Sequence, residues 1–366
     1  MKRQLRYWSS CKVMESKDKR LEILEKTAPG TPLREAIDLI VQLGRGGLIV
    51  LADRDTVAPL LAAGFELNAP FTPQAVAELS KMDRAVVVDG ALRTILYANA
   101  HLAPDPSIPS LETGTRHRAA EQTARQLGCP VIAISEERRR TTIYLGDWKY
   151  ELQDPQTLLA RTSQALLILD RYRAELNELL AELGPLEFER RVFPYHVAVI
   201  IQKIAQMLEL EEELKRLFVE LGVHRELPER QLRGLMRGVR EELELVILDF
   251  QKDSQRPVEE VIQGILEMSA EDRLSPEAVL RHLGFDEEDL EKPLASRGYR
   301  LLHKIPRLPM SVIERLVKEF GSVDQIERQG RRQLQRIKGV AEVRARAIKA
   351  GLRRFKAGYA TGLDGF

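Results

Sequence analysis

The sequence has little cysteine, no long apolar run and none of the familiar nucleotide-binding fingerprints. Only Cys11 and Cys129 occur in 366 residues, which excludes a disulfide framework and a zinc site of four thiolates. No apolar run approaches the roughly 20 residues of a membrane span, so we expect no membrane partner. The first 20 residues are highly charged and lack the apolar core of a secretion signal, which favours a cytoplasmic location.

The chain is long enough for two or three domains, and its charge is unevenly distributed. The net charge is +1, yet the segment Arg328–Lys356 holds 11 Lys or Arg residues against one acid, Glu342. That segment is therefore +10 and the remainder is −9. A basic tail on an acidic body indicates a module that meets a polyanion.

The first third of the chain alternates short β-branched runs with helical patterns, which is typical of an α/β domain. The runs that we predict to be strands are Gly47–Leu51, Ala85–Val88, Thr94–Tyr97, Val131–Ile134 and Thr141–Leu145.

From Thr157 onward, the pattern changes to long amphipathic helices. Apolar residues recur alternately four and three positions apart from Ala165 to Leu183, and Gly184-Pro185 is predicted to stop that helix. Further stripes, separated by turns predicted at Gly222 and Pro228, fit a packed bundle.

A third composition begins near Gly298, where two helical hairpins are predicted one after the other. Their turns are Arg307–Met310 and Lys338–Ala341, and the first hairpin ends at Gly321. The sequence thus predicts an α/β domain with a mixed sheet flanked by helices at 1–150, an all-α spine at 151–295 and an all-α tail at 296–366.

The segment Glu112–Glu121 is the most informative, because it opens a helix that we predict to run to about Leu127. Arg116, His117 and Arg118 stand in its first turn, where the helix dipole disfavours cations unless an anion lies among them. A polyphosphate would meet these side chains and the free backbone N–H groups together, and Gly114 would let the backbone approach it. The alternative is a solvated charge run with a surface histidine.

Any ATP site here must be of an uncommon type. The sequence contains no Gly-x-x-x-x-Gly-Lys-Ser/Thr motif, and the glycines of 44–47 precede a predicted strand, where a dinucleotide-binding loop would follow one.

Four segments together resemble the DisA family of diadenylate cyclases. They are Ala-Pro-Gly-Thr-Pro-Leu at 28–33, Glu-Leu-x-Lys-Met-Asp at 78–83, Gly-Thr-Arg-His-Arg at 114–118 and Arg-Gly-Tyr-Arg-Leu-Leu-x-Lys-Ile-Pro-Arg-Leu-Pro at 297–309. The resemblance implies a cyclase domain, a helical spine and a tandem helix-hairpin-helix DNA-binding domain, assembled as a homo-octamer. It also implies that two ATP molecules, facing each other across a cyclase dimer, are condensed into cyclic di-AMP, and that branched DNA suppresses this synthesis.

The resemblance assigns roles to particular residues. Asp83 would be the catalytic aspartate and would bind Mg²⁺ or Mn²⁺, an oxygen-ligated metal that bridges to phosphates. The residues implied to bind ATP are Arg84, Ala85, Leu102, Gly114, Thr115, Arg116, His117, Arg118 and Ala119. Arg138 and Arg139 correspond to a basic stretch near the facing active site, although such a run by itself is more often a solvated hairpin.

The sequence departs from the family at two of these positions. Arg84 replaces the glycine of the family's Asp-Gly-Ala motif, and Ala119 replaces a common threonine. An Asp-Gly-Ala does occur at Asp89–Ala91, but it lies between two β-branched runs and is predicted to be a hairpin turn. Asp83 therefore remains the predicted catalytic residue.

The tail is expected to bind branched DNA, such as a Holliday junction, through backbone N–H groups of its turns and nearby cations. The predicted DNA-binding residues are Arg307, Lys338, Gly339, Val340, Ala341, Arg344, Arg346 and Lys349. Ala341 stands where such turns usually have a second glycine. The alternative is a helical bundle with a charged exterior.

Three functions remain open at this point. The first is a DNA-regulated, nucleoid-associated cyclase. The second is a DNA-scanning scaffold whose cyclase site is attenuated by Arg84 and Ala119. The third is a nucleotide-binding protein without a DNA role.

Overall fold

A computed structural model describes residues 18–137 and 139–357. These residues form two compact units, one that runs to Thr162 and includes Lys215–Leu227, and one made of Ser163–Leu214 and the residues from Pro228 onward.

The first unit contains a seven-stranded mixed sheet in the order β2-β4-β3-β1-β5-β6-β7. The pair β1 and β3 is parallel, whereas all the other neighbours are antiparallel. The strands are β1 Gly47–Leu51, β2 Leu61–Pro70, β3 Ala85–Val88, β4 Thr94–Leu102, β5 Val131–Ile134, β6 Thr141–Leu145 and β7 Trp148–Glu151.

Helices cover both faces of this sheet, which explains why its central strands are apolar at every position. Leu48 and Val50 of β1 share a core with α5, and Ile49 and Leu51 share another with α2 and α4. The helices of this unit are α1 18–26, α2 Pro32–Gln42, α3 Arg54–Val57, α4 Pro73–Leu79 and α5 Thr115–Leu127. The predicted mixed sheet flanked by helices is confirmed.

Two strands were not predicted from the sequence. The edge strand β2 contains Gly64, Asn68 and Pro70, which are poor strand formers, and most of it is exposed. The strand β7 has only four residues, Trp148–Glu151. Pairing with β4 and β6 holds these segments extended where local preference does not.

From Pro155 onward the described chain is helical, as predicted. The helices are α6 Pro155–Glu189, α7 Pro194–Leu221, α8 Glu226–Leu235, α9 Val239–Phe250, α10 Val258–Glu267, α11 Ala270–Leu274, α12 Pro276–His282, α13 Tyr299–His303, α14 Met310–Phe320, α15 Val323–Arg328, α16 Arg331–Leu334 and α17 Glu342–Lys356. Among the described residues, no helix combines the length and apolarity that crossing a bilayer requires.

Two predicted helix boundaries were wrong. Helix α6 continues through Pro185 to Glu189, because Glu187 and Phe188 are buried beyond it, and these contacts offset the hydrogen bond that proline removes. Pro228 does not form a turn but lies in the first turn of α8, where a backbone N–H has no intrahelical partner to lose. The turn at Gly222 is confirmed as a short 3-10 segment, Gly222–Arg225.

Candidate functional site

The strand register brings most of the predicted site to one edge of the sheet. Because β1 and β3 are parallel, with Leu48 opposite Ala85, their first residues lie side by side. Strand β4 runs the other way and ends beside them at Leu102, and β5 likewise ends there, with Ile134 opposite Gly47. Residues 82–85, 102 and the loop that follows Ile134 therefore share this edge.

Asp83 and Arg116 meet at this edge. Asp83 ends the 3-10 segment Ser80–Met82 in a left-handed conformation, with φ of 69°, and its side chain is 85% exposed. The Arg116 guanidinium, which is only 22% exposed, donates to Asp83 Oδ1 at 2.9 Å. Two residues that are 33 positions apart in the chain are thus in direct contact.

The Arg116 guanidinium lies against the backbone of Gly46. A β-carbon at Gly46 would overlap the Nη1, Cζ and Nη2 atoms of Arg116, so the residue at position 46 cannot carry a side chain without displacing the arginine. Gly46 was not among the predicted site residues. The signal was present in the glycines of 44–47, because glycine before a buried strand indicates a close approach by another group.

The first turn of α5 holds the predicted cations, as expected. Gly114 is the N-cap residue of this 13-residue helix, and among the described residues it brings no side-chain cap to the N-terminal N–H groups. Arg118, which is exposed, donates from Nε and Nη2 to the Glu112 carbonyl, both at 3.3 Å. The unfavourable meeting of cations and helix dipole is therefore offset in part by Asp83 and by this carbonyl.

A hydrogen-bond network fixes the remaining basic residue of this turn. The Tyr144 hydroxyl donates to Glu112 Oε1 at 2.9 Å and lies 3.0 Å from His117 Nδ1, so His117 Nδ1–H is the donor in that second contact. Lys149 also forms an ion pair with Glu112. The sequence pattern predicts only a helix start at Glu112 and a strand at Tyr144. It does not predict this network, because Tyr144 lies on β6, Lys149 on β7 and Glu112 in the loop before α5.

The charges of this network shift two pKa values in opposite directions. Burial alone would raise the pKa of Glu112, but hydrogen bonds from Lys149 and Tyr144 and nearby positive charge outweigh it and hold that pKa below 4.5. Burial and the adjacent Glu112 carboxylate raise the pKa of Tyr144, so its hydroxyl remains a donor at neutral pH.

The other predicted residues of this unit are placed as follows. Arg84 is exposed and Ala85 begins the buried strand β3. Leu102 is 8% exposed and belongs to the core at the same edge. Thr115 is exposed and Ala119 is half-buried on α5. Arg139 is exposed in the loop between β5 and β6, with φ of 51°, whereas Arg138 lies outside the described residues.

The donor set suits a divalent cation that is held mainly by a substrate. Within residues 18–137 and 139–357, no three His, Cys, Asp or Glu side chains form a metal-ligating group. Asp83 offers one exposed carboxylate at the edge described above. Mg²⁺ is commonly bound by one or two carboxylates together with phosphates, so a single aspartate fits this mode of binding.

Asp89 lies at the opposite end of β3 and has a structural role. Its Oδ1 accepts from the backbone N–H groups of Arg93 at 2.6 Å and Thr94 at 2.9 Å, and it closes the turn into β4. The predicted hairpin turn is confirmed.

The tail contains two helix-turn-helix units with matching backbone geometry. Ile305, Arg307 and Leu308 correspond to Ile337, Gly339 and Val340. In each turn, the N–H of the later apolar residue donates to the carbonyl of the isoleucine, at 3.3 Å and 3.0 Å. Arg307 and Gly339 each stand two residues after the isoleucine, and both have a left-handed backbone, with φ of 61° and 95°.

The turns expose most, but not all, of the predicted DNA-binding residues. Arg307, Lys338, Gly339 and Ala341 are exposed, whereas Val340 is 2% exposed and packs in the core. Within the part of the chain that the structure describes, the N-cap residues Pro309 and Ala341 give no side-chain cap to α14 and α17, the helices that follow the turns.

The three remaining predicted DNA-binding residues all lie on α17, but they differ in position. Arg344 donates to the Gly339 carbonyl at 2.6 Å, beside the second turn. Arg346 pairs with Glu342 at 2.8 Å. Lys349 instead donates to the carbonyl of Glu327 at the end of α15, and burial lowers its pKa. Lys349 is thus engaged by the protein itself.

Replacing Glu112 with Gln tests the network at the start of α5. Because the folded pKa of Glu112 is below 4.5, its ionised form stabilises the fold above that pH and loses this contribution as the pH falls through the folded value. At pH 7, Glu112→Gln should be less stable than wild type by roughly 1–2 kcal/mol. The gap in melting temperature between the two proteins should shrink towards pH 3.

Glu151→Gln is the control, since Glu151 forms a half-exposed pair with Arg140 at 3.2 Å. It should leave the melting temperature nearly unchanged at both pH values. A gap for Glu112→Gln that stays constant from pH 7 to pH 3 would contradict the assignment.

Comparison with known proteins identifies the family. The model of the DisA bacterial checkpoint controller nucleotide-binding domain matches residues 34–148, and that of the DisA linker region matches residues 152–291. DNA integrity scanning proteins DisA from Carboxydothermus hydrogenoformans and Symbiobacterium thermophilum are each 41% identical, and the alignments cover 93% and 95% of this chain and 98% and 99% of theirs. DisA from Clostridium botulinum strain Langeland is 40% identical over 93% of this chain and 97% of its own. The chain therefore belongs to the DisA family of diadenylate cyclases.

Proposed function

We propose that this protein condenses two ATP molecules into cyclic di-AMP and two pyrophosphates at the edge of the sheet that carries Asp83. The observation that carries the proposal is the contact of Arg116 with Asp83 beside the uncapped N-terminus of α5. It combines a carboxylate, a guanidinium that can make bidentate contacts and the backbone N–H groups of a helix N-terminus, which are the groups that a triphosphate and its metal require.

Each ATP is held by groups of one protomer. Arg116 and Arg118 bind oxygens of the triphosphate, together with the backbone N–H groups at Thr115 and His117. Leu102 lies against the adenine, and the backbone at Ala85 and Gly114 borders the nucleotide. Ala119 offers a methyl group where a threonine would add a hydroxyl.

The reaction joins the two nucleotides in both directions. Each 3′-hydroxyl oxygen forms a bond to the α-phosphorus of the facing ATP, the bond from that phosphorus to the β-phosphate oxygen breaks, and pyrophosphate leaves with the electron pair. Asp83 orients the 3′-hydroxyl, and its carboxylate accepts the hydroxyl proton as the new bond to phosphorus forms. Mg²⁺ or Mn²⁺ bound at Asp83 would supply charge neutralisation at the phosphates.

Binding of ATP requires Arg116 to exchange partners. In the structure its guanidinium is paired with the carboxylate of Asp83. A phosphate group carries more charge than a carboxylate and can accept two parallel hydrogen bonds from a guanidinium, so it would take over Arg116 and release Asp83 for the metal and the 3′-hydroxyl.

A second copy of the chain completes the site. Asp83 is 85% exposed, which leaves room for a facing nucleotide. Arg138 and Arg139 would act on the site of that facing protomer. The proposed assembly is the octamer that the resemblance implies.

The departure at position 84 is compatible with activity. Arg84 is exposed, and beside it Asp83 has a left-handed backbone and a contact with Arg116. The alternative is a DNA-scanning scaffold with an attenuated cyclase site, and the assay described next distinguishes the two.

Replacing each of the two aspartates that flank β3 with asparagine, in separate variants, tests the catalytic assignment. Purified wild-type protein incubated with ATP and Mn²⁺ should form cyclic di-AMP, and Asp83→Asn should lose at least about a hundredfold of the rate. Asp89→Asn should retain it, because an amide oxygen still accepts from the turn. Product is measured by chromatography. A wild type without product supports the scaffold, and equal loss in both variants contradicts the choice of Asp83.

Gly46→Ala tests the seat of Arg116. The added methyl group overlaps the guanidinium and should lower kcat/KM for ATP by about 10- to 100-fold, because a small displacement of a phosphate-binding group is costly. Gly90→Ala is the matched control, since a β-carbon there meets no atom of the described residues within 4 Å. If Gly46→Ala matches Gly90→Ala in turnover, the position of Arg116 does not matter for catalysis.

We propose that the tail is a tandem helix-hairpin-helix domain that binds branched DNA and restrains synthesis. Its two equivalent turns place backbone N–H groups and exposed cations at helix starts, an arrangement that favours phosphate. The proposed domains are 1–150 for the cyclase, 151–295 for the spine and 296–366 for the tail. Such a protein would work in the cytoplasm, on the nucleoid.

Neutralising one cation of each turn tests this part of the proposal. The double variant Arg307→Gln/Lys338→Gln should weaken binding to a four-way junction. The slope of log K against log salt is negative, and its magnitude should decrease by about 2. Arg171→Gln is the control, since Arg171 is 79% exposed on α6 and pairs with Glu175. An unchanged slope would show that these turns do not contact DNA.

A further inference from the structure

The segment Arg297–Arg300 joins the tail to the helices that precede it. It belongs to the sequence motif of the family, yet neither ATP nor DNA is assigned to it. In the structure, it lies where α13 begins and contacts both α6 and α9. We call this contact region between α6, α9 and the start of α13 the joint. It consists of Arg297, Gly298, Tyr299, Arg300, Glu187, Glu242 and Asp249.

The end of α9 and the start of α13 cap each other. The Arg297 guanidinium donates to the carbonyls of Leu248 at 2.9 Å, Asp249 at 3.2 Å and Gln251 at 2.8 Å. These carbonyls stand at the C-terminus of α9, where intrahelical partners are missing and a cation is favoured.

The carboxylate of Asp249 makes the reciprocal contacts. Oδ1 accepts from the N–H groups of Gly298 at 2.7 Å and Tyr299 at 2.6 Å, and Oδ2 accepts from that of Arg300 at 3.0 Å. The first N–H groups of α13 are therefore satisfied by a residue of α9.

A buried ion cluster fixes the same two helices to α6. Arg300 is fully buried and pairs with Glu187 of α6, also fully buried, and with Glu242 of α9 at 3.5 Å. Ser296 donates to the other oxygen of Glu187 at 3.1 Å. A buried charge without its partner is costly, so these side chains allow α13 one position against α6 and α9.

Three further contacts tighten the joint. Gly298 has φ of 99°, and a β-carbon on it would lie 2.8 Å from Val323 Cβ, so the backbone packs closely against α15. Arg190, just after α6, donates to Asp324 of α15 at 3.0 Å. Phe188 of α6 also packs in the core of the tail. The tail is thus bound to α6 at several points.

We propose that the joint transmits DNA occupancy from the two turns to α6 and α9, with Arg297 as a positioning residue that couples them. The inference rests on the proposed binding of DNA by the tail. Helix α13 leads directly into the first turn, so a shift of the turn on phosphate moves the capped N–H groups of α13 as well. Helix α6 begins at Pro155, soon after β7, and ends at the joint. It is therefore the helix that can transmit such a shift away from the tail.

Amide hydrogen exchange on the full-length protein tests this coupling without requiring catalysis. In wild type, a four-way junction should slow exchange in α9 and in the last turns of α6. Arg297→Gln removes the cation from the carbonyls of α9 and should abolish this slowing, although the junction remains bound with wild-type affinity. In the same variant, the junction should no longer suppress formation of cyclic di-AMP, while output without DNA is unchanged.

Two variants provide the comparison. Arg171→Gln, an exposed change on α6, should behave as wild type in every measurement. Arg190→Gln breaks the half-exposed link to Asp324 and should weaken the response in the same direction. If the melting curve of Arg297→Gln shows that this variant does not fold, Arg190→Gln is used in its place.

Each outcome decides a separate point. Slowed exchange of wild-type size in Arg297→Gln with DNA bound would overturn the coupling role of the joint. A wild type that binds no junction overturns both the DNA-binding function and the joint. A wild type that binds DNA but makes no cyclic di-AMP overturns only the cyclase proposal, because the exchange measurement still decides the role of the joint.

Discussion

The contact between Arg116 and Asp83 is the constraint on which the candidate site depends. It ties the first turn of α5 to the start of β3, and it exists only because Gly46 leaves room for the guanidinium. The parallel pairing of β1 and β3 brings Gly46 and Asp83 to the same edge of the sheet. A cation at a helix N-terminus is unfavourable by itself, so the Asp83 carboxylate, or a phosphate in its place, is part of the stability of this edge.

The tail follows a different physical logic, because its ligand is expected to contact backbone as much as side chains. Two turns of the same geometry present helix starts without side-chain caps, and the net charge of +10 between Arg328 and Lys356 raises the local potential for a polyanion. Not all of that charge faces outward, since Lys349 closes the end of α15. A charge count therefore overstates the number of cations that can meet DNA.

The joint ties the start of the tail to α6 and α9 through buried charges. Buried ion pairs often add little net stability compared with apolar packing, but they penalise any arrangement in which one partner is lost. At Arg300 the penalty applies to two carboxylates on two different helices, Glu187 and Glu242. The cluster is thus better suited to fixing one orientation of α13 than to strengthening the fold in general.

The sequence by itself determined the central strands, the course of α5, the hairpin turn at Asp89 and the change from sheet to helices near residue 155, because local propensity and apolar periodicity dominate there. Recognition of the family also came from ordered motifs in the sequence. Only the tertiary structure decided that β2 is a strand, that α6 passes Pro185 and that Gly46, Glu112 and Tyr144 belong to the site. These depend on contacts between residues distant in the chain, whose burial and hydrogen bonding outweigh local preference and leave no periodic pattern to read.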